Sequence, residues 1–138
     1  MIQKIRFYKD LYRGWLFGWF IRGTSKRLRV DKTAFLSGLS NIRLGDNIFI
    51  NKGCVIQGGG GVTIGDNTLL GPYVQIYSEE HDKEDYTKTI REPITIGKNC
   101  WLCANVIVLK GSNIPDNTIV PAGAVVIRGG IVCHRKSL

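Results

Sequence analysis

"IGKNCWLCANVIVLKGSNIPDNTIV", residues 96–120, returns to an aliphatic side chain at every sixth position: Ile96, Leu102, Val108, Ile114 and Val120. A helix repeats every 3.6 residues and a flat strand every 2, so the beat belongs to neither. It is the signature of a hexapeptide β-helix, in which three short strands and three turns close one triangular coil. Each aliphatic side chain then points inward and stacks on its equivalent one coil later. Four positions after each of these lies a small or β-branched residue, as at Cys100, Val106, Ser112 and Thr118.

The same step continues to Val126 and runs upstream through Leu44, Ile50 and Ile56, then Ile64, Leu70 and Ile76. Val30, Leu36 and Ile42 suggest an earlier, partial coil. The phrase "LGDN" at 44–47 returns as "IGDN" at 64–67, "IGKN" at 96–99 and "IPDN" at 114–117. Gly, Asp and Asn suit the corners because they tolerate tight or left-handed turn geometry. A β-sandwich also shows short strands at regular spacing, but it does not explain four related turn phrases in register. The sequence therefore predicts an all-β solenoid over residues 30–131. A helical N-terminal segment is expected over 1–29 and a short tail over 132–138.

The spacings locate the departures. Ile96 to Ile114 is 18 residues, one undisturbed coil. Leu44 to Ile64 is 20, with two extra residues absorbed around Gly58–Gly61. Ile64 to Ile96 is 32, so a loop of 14 extra residues leaves the coil within about 77–95. A solenoid extrudes such a loop on one face, often the binding face. The loop reads "SEEHDKEDYTKTIREP" (78–93) and carries His81, whose residue type suits proton transfer near neutral pH. Glu79, Glu80 and Asp82 flank it, and any of the three is a candidate to fix its tautomer. A loop histidine is ordinarily just solvated; the position at the root of the only long insertion singles out His81. His134 lies beyond the repeats.

The net charge is +8. Lys4, Arg6, Lys9, Arg13, Arg22, Lys26, Arg27 and Arg29 against Asp10 put +7 of it in the first 30 residues, so the repeats are almost neutral. Charge confined to one segment, without a recognised nucleic-acid motif, argues against a DNA or RNA partner. In that segment Ile5, Tyr8, Tyr12, Trp15, Leu16 and Trp19 fall at helical spacing, and the longest apolar run is too short to span a bilayer. Aromatics flanked by Lys and Arg suit a helix lying on an anionic membrane surface. A helix capping the open end of the solenoid is the alternative, and one helix can serve both ends. Of the four cysteines, Cys100 and Cys103 form a CxxC. The register turns Cys100 inward and places Cys103 at a turn, so the thiols should diverge, and no further Cys or His set completes a metal site. Unpaired thiols and no secretion signal lead to an expectation of the cytoplasm, with peripheral attachment to the inner membrane face.

The order "NIFINKGCVI", "VTIGDNTLLGPYVQIYSEEHD" and "PITIGKNCWLCANVIVLKGSNIPDNTIVPAGAVV" resembles the hexapeptide-repeat acyltransferases. The nearest pattern is that of maltose/galactoside O-acetyltransferases and related capsule and lipopolysaccharide O-acetyltransferases, over residues 42–127. The resemblance implies a left-handed parallel β-helix, a homotrimer with active sites between subunits, and acetyl transfer from acetyl-CoA without a metal. It casts His81 as the general base and Asn51 as a residue lining the acceptor site. Trp101 would lie near the pantetheine arm, with Ala104 and Ala122 contributing backbone contacts to acetyl-CoA. Ile127 and Arg128 would lie against its nucleotide end. The acceptor implied is a sugar or glycan hydroxyl; amino-sugar N-acylation and a non-catalytic scaffold are the alternatives, and a hydratase of the same fold would need three histidines. Two departures stand out. Gly58–Gly61 replace the acidic sugar-binding residue of galactoside acetyltransferases, and the chain closes "IRGGIVCHRKSL" where the family carries a segment like "GNPAK" and a basic helix.

Overall fold

The computed structural model describes residues 1–21 and 26–132. Its first coil runs through β1 (Arg29–Val30), β2 (Phe35–Ser37) and β3 (Ile42–Leu44), and its second through β4 (Phe49–Ile50), β5 (Val55–Gln57) and β6 (Val62–Ile64). The third follows β7 (Leu69–Leu70) and β8 (Gln75–Tyr77), detours through β9 (Glu79–His81) and β10 (Thr89–Arg91), and closes with β11 (Ile94–Ile96). The fourth is β12 (Trp101–Leu102), β13 (Ile107–Leu109) and β14 (Asn113–Ile114). A fifth begins with β15 (Ile119–Val120) and β16 (Val125–Ile127), and β17 (Gly130–Val132) turns back antiparallel on β16. Like strands of successive coils stack into three sheets, β1-β4-β7-β12-β15, β3-β6-β11-β14 and β2-β5-β8-β13-β16-β17.

The register follows the six-residue beat. Ile50 stands opposite Leu70, Leu70 opposite Leu102 and Leu102 opposite Val120. Ile56, Ile76, Val108 and Val126 do the same in the neighbouring sheet. All eight are buried, and a one-residue slip would turn each to solvent, which fixes the pairing. Thr118 and Leu36, expected inward, are only half-buried.

The corner between the β3-type and β4-type strands explains the repeated phrase. Asn47, Asn67, Asn99 and Asn117 take φ of 57°, 55°, 55° and 59°, a left-handed conformation that asparagine tolerates well. Their amides form a ladder, Asn47 donating to Asn67 (3.0 Å), Asn67 to Asn99 (3.3 Å) and Asn99 to Asn117 (3.2 Å). The preceding aspartates accept backbone N–H groups one coil back, from Asp46 to Asp66 (2.8 Å) and from Lys98 to Asp116 (2.7 Å).

Helix α1 (Ile2–Gly18) covers the open end of the first coil. Asp10 and Gly14 are its buried residues, and a Cβ on Gly14 would lie 1.8 Å from the Leu28 carbonyl oxygen, so only glycine permits the approach. Arg13 Nε donates to the Val30 carbonyl at 2.9 Å, Arg6 pairs with Asp31 at 2.7 Å, and Phe17 and Ile21 pack on the core. The Arg29 guanidinium lies between the rings of Phe7 (4.5 Å) and Phe49 (3.9 Å), joining helix to solenoid. The capping half of the expectation is therefore what this face does. The aromatic stripe Tyr8, Tyr12, Trp15, Trp19 points the other way and is exposed, Trp19 by 75%. No helix among the described residues is long and apolar enough to cross a membrane.

The thiols diverge as the register implied. Cys100 is buried, its Sγ donating to the Pro115 carbonyl at 3.2 Å, while Cys103 is half-buried at a corner. Burial pushes the Cys54 thiol up to about 11, which makes it inert packing rather than a nucleophile. Cys133 and His134 lie outside the described residues.

Candidate active site

Every irregularity of the coil collects at one corner, between the β2-type and β3-type strands. In the first coil it holds a turn of 3-10 helix, Leu39–Asn41, and in the second Gly58–Gly61. In the third it extrudes residues 78–93. The expected loop is an ordered hairpin: His81 stands opposite Thr89, Glu80 opposite Ile90 and Glu79 opposite Arg91. Tyr77 and Ile94 remain in the coil, so the detour is slightly shorter than the predicted 77–95.

Ser78 closes the root of this hairpin. Its buried hydroxyl donates to the Gln57 carbonyl (2.6 Å) and accepts from the Gly60 N–H (2.9 Å). Its carbonyl accepts from the Glu92 N–H at 3.0 Å, tying the two ends together. The glycine run is the seat for this root. A Cβ on Gly60 would come within 2.2 Å of the Ser78 carbonyl oxygen, and one on Gly59 within 2.4 Å of Glu79 Oε2. At the tip, Asp82 Oδ1 accepts from the Glu84 N–H (2.7 Å) and Asp85 N–H (3.2 Å). Asp85 accepts from the Thr87 hydroxyl at 2.6 Å and from its N–H, and these bonds hold the Asp85 carboxyl below its usual range.

His81 is exposed on β9 and lines a cavity of about 280 Å³ with Gln57, Glu79, Glu80, Thr89 and Arg91. Each neighbouring carboxylate is engaged elsewhere. Glu79 accepts from Arg91 Nε at 2.9 Å, Glu80 pairs with Lys110 at 2.6 Å, and Asp82 holds the hairpin turn. Among the described residues no acidic side chain of this chain is bonded to the imidazole, so none of the three candidates fixes its tautomer here.

The other expected site residues sort to two places. Asn51, Ala104 and Ala122 occupy one corner, between the β1-type and β2-type strands, in the second, fourth and fifth coils. Asn51 Oδ1 accepts from the Lys52 N–H at 2.8 Å. The Ala104 carbonyl accepts from the Gly123 N–H at 3.0 Å, while the Ala104 N–H has no acceptor among the described residues. Trp101 leads into that corner from the outer face of β12, flanked by Leu69 and Ile119 and 48% exposed. Ile127 is exposed at the end of β16, on the hairpin's side of the molecule. Arg128 follows it and is ion-paired with Glu92, so its charge is already engaged by the hairpin root. One side of the triangle thus separates His81 from Asn51 within a chain. Arg91, Lys110, Gln57 and Glu92 went unrecognised in the sequence; the hairpin register shows what Arg91 holds, and the stacking of the hairpin root on neighbouring coils shows what the other three hold.

No protein-family model matches the chain. Galactoside O-acetyltransferase of Escherichia coli K12 is 33% identical over 103 residues, 72% of this chain and 51% of that protein. A maltose O-acetyltransferase structure from Clostridium difficile aligns with a TM-score of 0.78 at 31% identity, over 84% of this chain and 64% of that one. A hexapeptide-repeat acetyltransferase of Vibrio cholerae, solved with acetyl coenzyme A, gives 0.69 at 28% identity over 90% and 75%. The chain spans about half the length of the curated relatives it matches.

Proposed function

We propose that this chain, a left-handed β-helix similar to the hexapeptide-repeat O-acetyltransferases, moves an acetyl group from acetyl-CoA to a hydroxyl of a sugar or glycan. The observation that carries the reading is His81, held on a stiff hairpin at a cavity while every adjacent carboxylate is bound to another partner. An imidazole so placed takes the proton of the acceptor hydroxyl as its oxygen attacks the thioester carbonyl carbon. The oxyanion that forms accepts a hydrogen bond from a backbone N–H, for which that of Ala104, without an acceptor among the described residues, is the candidate. Collapse breaks the C–S bond, and the proton held by the imidazole passes to the departing CoA sulfur. No covalent enzyme intermediate is needed, in keeping with Cys54 and Cys100 being buried.

Because Asn51 and Ala104 sit at one corner and His81 at another, the complete site draws on two copies in a homotrimer. In this arrangement Asn51 lies against the acceptor, Trp101 against the pantetheine arm, Ala104 and Ala122 give backbone contacts to acetyl-CoA, and Ile127 with Arg128 lies at the nucleotide end. Tyr86, 80% exposed at the hairpin tip, is available to the neighbouring copy. The outward aromatic stripe of α1, with Lys4 nearby, supports peripheral contact with an anionic membrane, placing the enzyme where glycans of the polysaccharide or lipopolysaccharide type are assembled. The test is CoA release from acetyl-CoA across matched sugars and amino sugars. Turnover on sugars supports the reading, turnover on amines alone makes the chain an N-acyltransferase, and no thermal shift with CoA makes it a scaffold.

A further inference from the structure

A second cavity lies away from the hairpin. It is a cleft of about 410 Å³ between α1 and the first two coils. Arg6, Lys9 and Arg13 line it from the helix, and Lys32 and Lys52 from the solenoid. Its two carboxylates are already engaged, Asp31 with Arg6 and Asp10 with Arg13. Among the described residues Lys9, Lys32 and Lys52 have no acidic partner at ion-pair distance. Three lysines without an acidic partner therefore line one concavity, Lys52 with its Nζ 5.7 Å from the Tyr73 ring centroid, and with the two engaged arginines they leave the cleft net positive, which favours a multiply charged anion.

Its position gives the cleft a meaning. Asp31–Thr33 and Asn51–Gly53 are successive coils of the same corner, joined by the Gly53 N–H donating to Thr33 Oγ1 at 2.8 Å. Along this corner the order is Lys32, then Asn51 with Lys52, then Ala104, then Ala122. If acetyl-CoA occupies the Ala104–Ala122 end and the acceptor lies at Asn51, the cleft is the next surface that the acceptor meets. Ile2 and Ile5 form its apolar lip, and Ile5 adjoins Tyr8 and Tyr12 of the exposed aromatic stripe.

We infer that this cleft is an acceptor subsite for a phosphate or diphosphate group, so that the substrate is a glycan carried on a phosphate ester rather than a free sugar. The inference rests on the acetyl-transfer reading above, and its first test does not. Binding of inorganic pyrophosphate is measured by titration calorimetry for the full-length protein and for the K9Q/K32Q/K52Q variant, with circular dichroism and melting confirming equal folding. Removing three charge-assisted contacts is expected to weaken binding by about ten- to a hundredfold, with a steep loss in salt. Equal binding by the two proteins overturns the subsite whatever the enzyme does.

The second test compares kcat/KM for a polyprenyl-diphosphate-linked disaccharide, a nucleoside-diphosphate sugar and the free sugar. An advantage for both diphosphates that disappears in the variant, through KM with kcat kept, is the expected result. An advantage for the polyprenyl form alone identifies a lipid-linked source. If no diphosphate outperforms the free sugar, and the variant loses only binding to phosphatidylglycerol vesicles, the cleft holds a lipid headgroup and the acceptor assignment fails. Failure of acetyl transfer itself appears separately, as no CoA release from any acceptor while pyrophosphate still binds.

Discussion

Glu79 accepts a hydrogen bond from Arg91 Nε at 2.9 Å across the hairpin, and this holds its carboxylate two residues away from His81 without reaching it. The pair fixes the strand that carries the imidazole. Both side chains are partly in solvent, so the ion pair contributes less than about 1 kcal/mol to stability. Arg91→Ala is therefore expected to leave the melting temperature almost unchanged. A displaced base is costly to catalysis, so kcat should fall by roughly tenfold or more. A parallel loss of stability and kcat would show that Arg91 only holds the fold.

Asp31 sets an acid limit on helix docking. Burial alone would raise its pKa, but hydrogen bonds from the Thr33 hydroxyl and N–H, and the Arg6 guanidinium, outweigh burial and bring it down to about 2. A depressed carboxylate contributes stability that is complete above its unfolded value and fades as pH falls toward the folded one. The helix contact should accordingly weaken between about pH 4 and pH 2. Hydrogen exchange of the Leu28–Asp31 backbone amides beneath the helix should report a transition in that window. Asp31→Asn should remove its pH dependence while lowering the melting temperature at pH 7.

Gly60 should tolerate no side chain. The Ser78 carbonyl oxygen would stand 2.2 Å from a new Cβ, and it is the atom that anchors Glu92. Gly60→Val is expected to cost about 1–3 kcal/mol by overpacking and to displace the hairpin. Gly18→Ala is the control, since nothing lies within 4 Å of its Cβ direction. Equal melting of the two variants would contradict the seat described for the hairpin.

The exposed stripe of α1 predicts membrane partitioning of the intact chain. Full-length protein should sediment with phosphatidylglycerol vesicles at low salt and be released by high salt. Tyr12→Ser, Trp15→Ser and Trp19→Ser together should abolish sedimentation without loss of fold, because none of these side chains packs on the solenoid. Wild-type protein remaining in the supernatant would leave α1 as a cap alone.

How much of this was legible in sequence depends on what kind of information each feature carries. The coil register was readable because Ile50, Leu70, Leu102 and Val120 are a local period that stacking merely repeats. The asparagines of the four turn phrases were readable because left-handed geometry selects a short list of residues. The hairpin was legible as an insertion but not as paired strands, since "EEH" and "TIR" carry no alternating apolar pattern. Gly58–Gly61 read as slack, and their need appears only when Ser78 is placed against them. The helix was legible as a segment but not in how it docks. Its aromatics were read as a surface for a membrane or as part of a cap, and the residues that dock, Asp10 and the bare backbone at Gly14, carried no signal of their own. That His81 and Asn51 stand at different corners follows from the same period, since Asn51 comes after Ile50 and the hairpin after Ile76.

The measurement that bears most directly on the account is steady-state CoA release by His81→Ala, paired with its affinity for acetyl-CoA. Acetyl-CoA binding and melting should be unchanged, because the His81 side chain is exposed and makes no hydrogen bond among the described residues, while its place in the β9–β10 ladder is a backbone one. Turnover should drop by roughly two to four orders of magnitude, the scale of losing a general base. Turnover near that of the wild type, with the hairpin intact, would contradict the account.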